Sequence, residues 1–257
     1  MSKQPRTRQP ISVIGVFGEL LLTAGAVVLL FLAWQLWWND AILANSQSSA
    51  AADISESWST PTALPTMTPV AVAPVEAASV DYGEPVTLSY TPDEGQAFAV
   101  MYVPRFGANT QRQIAEGVGT DVLNSTRLGV GHYNSTVLPG EVGNFAIAAH
   151  RSAYGGGMHL IDQLQLGDPI YIQTEDGWYT YRFRNFEYVR ASATGVLDAV
   201  PQGVGEEAGQ RLITLTTCNP LYSTAERIIA YGVLDSWQPA DAGPPAAIAA
   251  DVASWNQ

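Results

Sequence analysis

At 257 residues the chain has room for one or two domains, and 47% hydrophobic against 14% charged residues is too apolar for a wholly soluble protein, so a membrane segment is expected to hold the excess. The formal net charge is -12, and after Asp40 nine arginines face twenty-two acidic residues, which argues against a nucleic-acid partner. A single cysteine, Cys218, excludes an internal disulfide and leaves a lone thiol that is either a small buried hydrophobe or a reactive group.

Residues 1–10 form a short basic tail with Lys3, Arg6 and Arg8. Ile11–Trp38 follows as an apolar run of 28 residues, longer than the ~20 a helix needs to cross a hydrocarbon core. Basic residues before it and none soon after set the N-terminus in the cytoplasm and the remainder outside, with Trp34, Trp37 and Trp38 at the outer interface. A cleaved signal peptide is the alternative, since Ala41, Ala44 and Ala50–Ala52 suit a signal peptidase, but the run exceeds a signal core of about 7–15 residues. Glu19, near the inner end, reaches headgroups or stays protonated.

Residues 39–96 are rich in Ala, Ser, Thr and Pro, and Lys and Arg are absent, which reads as a linker extended around Pro61, Pro65, Pro69 and Pro74. Within it Val86–Tyr90 alternates and is β-prone, so packing as an extra strand is the competing possibility. From residue 97 to 237 the pattern is all-β, short β-branched and aromatic runs punctuated by Gly, Pro, Asn and Asp. Strands are expected at Phe98–Val103, Asn144–Ala149, Pro169–Thr174, Thr180–Val189, Leu212–Cys218 and Arg227–Leu234, with further short ones between residues 108 and 140 and a helical turn near Met158–Gln163. A closed or partly closed barrel is the implied architecture. Residues 238–257, mostly Ala, Pro and Gly at the end, read as a frayed tail.

The chemistry concentrates in Arg211–Leu234. Leu212, Thr214, Thr216 and Cys218 share one face of a strand, and an antiparallel hairpin through Asn219–Glu226 brings Arg227 beside Cys218. A nearby cation eases loss of the thiol proton. Of three histidines, His150 ends the apolar run Asn144–His150 where a strand opens into the Gly-rich loop Arg151–Gly157, a position held by a sheet yet open to substrate. His132 reads as a loop-fixing histidine with substrate contact as the alternative, and His159 as structural or exposed.

TLTTC at Thr214–Cys218, Arg227 nine positions later, AHR at Ala149–Arg151 followed by Tyr154-Gly155, the block Gly129–Gly155 and MYVPRFG at Met101–Gly107 together resemble the sortases, cysteine transpeptidases of Gram-positive-type cell surfaces. The resemblance covers about Phe98–Trp237 and, with TLTTCNP and the N-terminal anchor, is most similar to class E. It implies an eight-stranded β-barrel with one or two short helices. It also implies Cys218 as nucleophile, His150 as acid/base and Arg227 as the group that orients substrate and stabilises the oxyanion. Thr217, Tyr154, Tyr102, Tyr133 and His132 are its candidates for substrate contact. The implied partners are surface proteins bearing an LAxTG or LPxTG sorting signal and an amine of a cell-wall precursor, and neither cofactor nor metal is called for; Asp198, Glu206 and Glu207 read as ordinary acids of a solvated loop.

Alternatives remain. A pilin-polymerising sortase would take its lysines from substrates, as the only lysine here is Lys3. Papain-like chains place cysteine before histidine, the reverse of this order, and L,D-transpeptidases carry an HGC-type motif where this chain has TTC. An inactive tethered β-barrel that binds wall polymer or a partner is the non-enzymatic alternative.

Overall fold

The computed structural model describes residues 12–34, 38–59, 80–203 and 205–255. Chain contacts divide it into two units, Met1–Ala41 and Ile42–Gln257. The first holds helix α1, Val13–Ala33, whose 21 residues are long and apolar enough to cross a bilayer, about 32 Å at 1.5 Å per residue. Ser12 caps it, its hydroxyl accepting from the Gly15 N–H at 3.3 Å. The basic tail, Trp37 and the prolines at 61–74 lie outside the described residues.

The second unit is a closed barrel. Its strands are β1 (Ala97–Tyr102), β2 (Arg112–Glu116), β3 (Gly129–His132), β4 (Gly143–Ala149), β5 (Pro169–Gln173), β6 (Gly177–Val189), β7 (Arg211–Asn219) and β8 (Glu226–Pro239). They pair in the order β1-β2-β3-β4-β7-β8-β6-β5, and β5 pairs back with β1 to close the ring. β2–β3 and β4–β7 are parallel pairs, and the rest are antiparallel. Every strand expected from the sequence is present. β2 and β3 fill the stretch expected to hold short strands, and the helical turn is a 3-10 turn at Ile161–Gln163.

Alternation along the strands builds the core. Phe145, Ile147 and Ala149 of β4, Ile213 and Leu215 of β7, and Ile228 and Ala230 of β8 point inward with Phe98, Met101, Ile114, Tyr179 and Tyr181. Burial pushes the Tyr179 phenol up to about 12, with the charges of Asp176 and Glu141 adding to the effect and a hydrogen bond to Thr174 opposing it, and its hydroxyl donates to the Val86 carbonyl. That contact and the buried Leu88 hold the 80s against the barrel, although Val86–Tyr90 forms no strand.

Two expectations are corrected. Asn39–Trp58, expected as a flexible Ala/Ser flank of the linker, is helix α2, with Gln47, Ser48, Ala50, Ala51, Ala52 and Ser55 buried. Alanine is the strongest helix former, and small side chains allow a close approach, so a composition that reads as linker also suits a closely packed helix. Nor do the residues up to Trp255 form a frayed tail. β8 runs to Pro239, and α4 (Ala249–Trp255) follows, with Ile248 and Val252 buried against Tyr102, Tyr171 and Trp178. A short four-residue helix, α3 (Thr120–Leu123), leads from β2 towards β3.

Because Ile248 is 1% exposed, Ile248→Ala is expected to destabilise the protein by about 2 kcal/mol, the lower end for an apolar truncation at the periphery of a core. Urea unfolding checks this; a frayed tail would give no change.

Candidate active site

Three neighbouring strands deliver the chemistry to one end of the barrel. In the β7–β8 hairpin Cys218 lies directly opposite Arg227. β4 and β7 run parallel in register from Gly143–Arg211 to Ala148–Thr216, and two residues further on the chains reach His150 and Cys218. With Ile147, Ala149, Leu215, Ile228 and Ala230 in the core, alternation turns Ala148, His150, Thr216, Cys218, Arg227 and Ile229 to the outer face. Imidazole, thiol and guanidinium thus stand on adjacent strands on one side of the sheet, with neighbouring strands about 4.8 Å apart.

Each group is held differently. His150 Nε2 donates to Asn124 Oδ1 at 2.8 Å, and because an amide oxygen only accepts, this bond places a proton on Nε2. The Tyr154 ring lies 4.9 Å from the imidazole at 34°. Arg227 Nη1 donates to the carbonyls of Thr224 at 3.2 Å and Glu226 at 2.9 Å. Both acceptors are neutral, and among the described residues no carboxylate is ion-paired with it, so its charge remains available to an incoming group. Cys218 is half-buried and reduced.

A groove with ≈ 450 Å³ of empty space runs along this face, lined by Arg227, Thr216, Ile229 and Tyr133 on one side and Val189–Leu197 on the other. The Tyr133 hydroxyl bonds Thr216 Oγ1 at 3.0 Å. The second wall, the start of the β6–β7 connection, is fastened by Asn144, whose Nδ2 donates to the carbonyls of Val196 at 3.0 Å and Asp198 at 3.1 Å.

Of the residues proposed for substrate contact, Tyr133 lines this groove and Tyr154 lies against His150, 44% exposed with φ 50. Three do not reach the groove. Tyr102 is 3% exposed and packs under α4, stacked on Tyr171 and edge-on to Trp255. Burial, then its hydrogen bond to Asp251, holds its phenol well above the ordinary tyrosine value, so it serves as a neutral donor. His132 is 2% exposed, with Nδ1 on Glu116 at 2.7 Å and Nε2 on Val137 O at 3.1 Å and Thr136 Oγ1 at 2.9 Å, all inside the fold. Thr217 points inward, and its hydroxyl donates to the Ala149 carbonyl at 2.7 Å, tying β7 to β4 one residue before His150. His159 accompanies the loop, its Nδ1 on the Arg151 carbonyl at 2.9 Å.

Arg151, next to His150 and not singled out from sequence, completes the support. It is 5% exposed, with Nη1 donating to Asn219 Oδ1 at 2.5 Å and Nη2 pairing with Asp162 Oδ2 at 2.8 Å. Asn219 follows Cys218, so one guanidinium fixes the strand ends that carry the imidazole and the thiol. The AHR triplet held the signal, but arginine after histidine names no partner on its own.

A thiol, an imidazole and a guanidinium stand on neighbouring strands on the outer face of a closed barrel. The sortase domain family model matches residues 101–235, and the chain belongs to the sortase family. It is similar to Sortase SrtE2 of Streptomyces coelicolor, 30% identical over 86% of this chain and 81% of that one, and to Sortase SrtE1 of the same organism, 29% identical over 96% of this chain. This chain spans 65% of the length of SrtE1. Among solved structures it is similar to sortase E from Streptomyces avermitilis, 38% identical with a TM-score of 0.55, covering 62% of this chain and 99% of that one.

Arg151→Ala is expected to cost about 2 kcal/mol in urea unfolding, from charged hydrogen bonds discounted for the 48% exposure of Asp162. It is also expected to slow alkylation of the Cys218 thiol, read by mass spectrometry.

Proposed function

We propose that the protein is a membrane-anchored cysteine transpeptidase of class E type that cleaves a sorting signal between Thr and Gly and passes the Thr carbonyl to a cell-wall amine. The observation that carries this reading is the register pairing Cys218 with Arg227 on the strand next to the one ending at His150. The relatives named sortase E support the class, and the resemblance to that class is what implies a preference for LAxTG over LPxTG signals. The apolar helix α1, preceded by Lys3, Arg6 and Arg8, supports an anchor with its N-terminus in the cytoplasm and the barrel outside.

The Cys218 thiolate attacks the Thr carbonyl carbon, and the carbonyl oxygen takes the electron pair as an oxyanion facing the Arg227 guanidinium. Collapse breaks the C–N bond, and the imidazolium of His150 gives its proton to the departing glycine amine, leaving a thioester. An incoming amine adds to the thioester carbonyl and loses a proton to the now neutral imidazole. The C–S bond then breaks, which restores the thiolate and completes a new amide. The groove between Tyr133, Thr216 and the Val189–Leu197 segment receives the residues before the scissile bond.

With fluorogenic LAETG and LPETG peptides and a glycine-based amine, the protein is expected to cleave LAETG faster and to ligate its product. Cys218→Ala is expected to abolish both reactions, and Arg227→Ala to lower kcat/KM by about 10²–10³, the usual cost of one oxyanion donor. Folded protein that cuts neither peptide would favour the tethered binding module.

A further inference from the structure

Helix α2 reaches the histidine of the site through one side chain. Gln47 is 0% exposed, and its Nε2 donates to the carbonyls of Ser125 at 2.8 Å and Tyr154 at 3.0 Å. Each carbonyl belongs to a segment that grips His150. Asn124, which accepts from His150 Nε2, immediately precedes Ser125, and Tyr154 supplies the ring against the imidazole. The same amide therefore joins the two holders of one imidazole.

The surroundings are shaped to admit it. A Cβ on Gly129 would meet the Gln47 amide at 2.8 Å, and one on Gly155 would clash with Gln47 Oε1; both glycines also have positive φ, +97 and +83. The helix is pinned further along, where Gln113 Nε2 donates to the Ala50 carbonyl at 2.5 Å and Ser55 Oγ to Gln173 Oε1 at 2.5 Å. Gln47 Oε1 is buried with no partner among the described residues, and the two carbonyls set the orientation of the amide. Burying an amide with one atom unsatisfied is costly where an apolar side chain would fill the space, which leaves the two donated bonds as its use.

We propose that Gln47 is a positioning residue for His150, so that the acid/base step depends on a helix outside the matched sortase domain, residues 101–235. The inference rests on the reading of His150 as the acid/base of the site. Gln47 touches neither groove nor thiol, so its loss acts on turnover and not on peptide binding.

The test uses the full chain in lipid nanodiscs with the LAETG peptide, comparing wild type, Gln47→Met, Gln47→Glu, His150→Gln and, on the exposed side of α2, Glu56→Gln. Gln47→Met keeps the volume and removes both donors; Gln47→Glu keeps the shape and turns acceptors toward the two carbonyls. Both are expected to lower kcat about 10-fold with KM within about twofold and to shift the pH profile of kcat, while both variants melt lower than wild type but stay folded at the assay temperature and Glu56→Gln changes nothing. Unchanged kcat and pH profile in both Gln47 variants, beside an inactive His150→Gln, overturns the inference alone. Loss of folding in both variants, or a kcat loss matched by the unfolded fraction, overturns it by making Gln47 a general support. Wild-type turnover in His150→Gln overturns the reading of the site and the inference with it.

Discussion

The parallel pairing of β4 with β7 is the constraint on which the site depends. These strands lie far apart in sequence, and their hydrogen-bond ladder fixes where both chains emerge at the end of the barrel. A slip of one residue would exchange inward and outward faces along β4 or β7, burying the imidazole or the thiol and exposing Ile147 or Leu215. The core penalty for that exchange therefore protects the placement of the chemistry. Ties at the strand ends add to it: Thr217 to the Ala149 carbonyl, and Arg151 to Asn219.

Around this register the site is assembled by layers of support. Asn144 uses the outward side of β4 to hold one groove wall, and its Oδ1 accepts from Thr214 Oγ1 of β7 at 2.6 Å, so the same ladder carries the groove as well. His132, bonded to Glu116, Thr136 and Val137, stiffens the turn that leads from β3 to Tyr133.

Local patterns were legible in the sequence, and distant ones were not. Cys218 beside Arg227 follows from a hairpin, where sequence spacing and spatial distance agree. His150 was recognisable as a strand end, but its neighbour is set by a long-range parallel register that no window of sequence contains. Thr217 lay inside the right motif and faces inward, which a motif does not record, whereas His132 is the loop-fixing histidine read from the sequence. Tyr102, a candidate for substrate contact, is covered by α4, itself hidden in an Ala-, Pro- and Gly-rich tail. In α2 the small and polar composition of a linker was also that of a helix that packs closely, and Gln47 gave no sign of its two carbonyls.

Closure of the barrel has a consequence for recognition. Peptides often bind β proteins by adding a strand to an open edge, where backbone hydrogen bonds supply affinity for any sequence. Here β7 is paired along Leu212–Thr216 with β4 on one side and β8 on the other, and that indiscriminate mode is closed on this strand. An extended peptide lying across β7 and β8 meets side chains and the Val189–Leu197 segment and no unpaired ladder. Its capture depends on what it carries along its length, so a strand paired on both sides selects by chemical identity where an open edge would accept by shape.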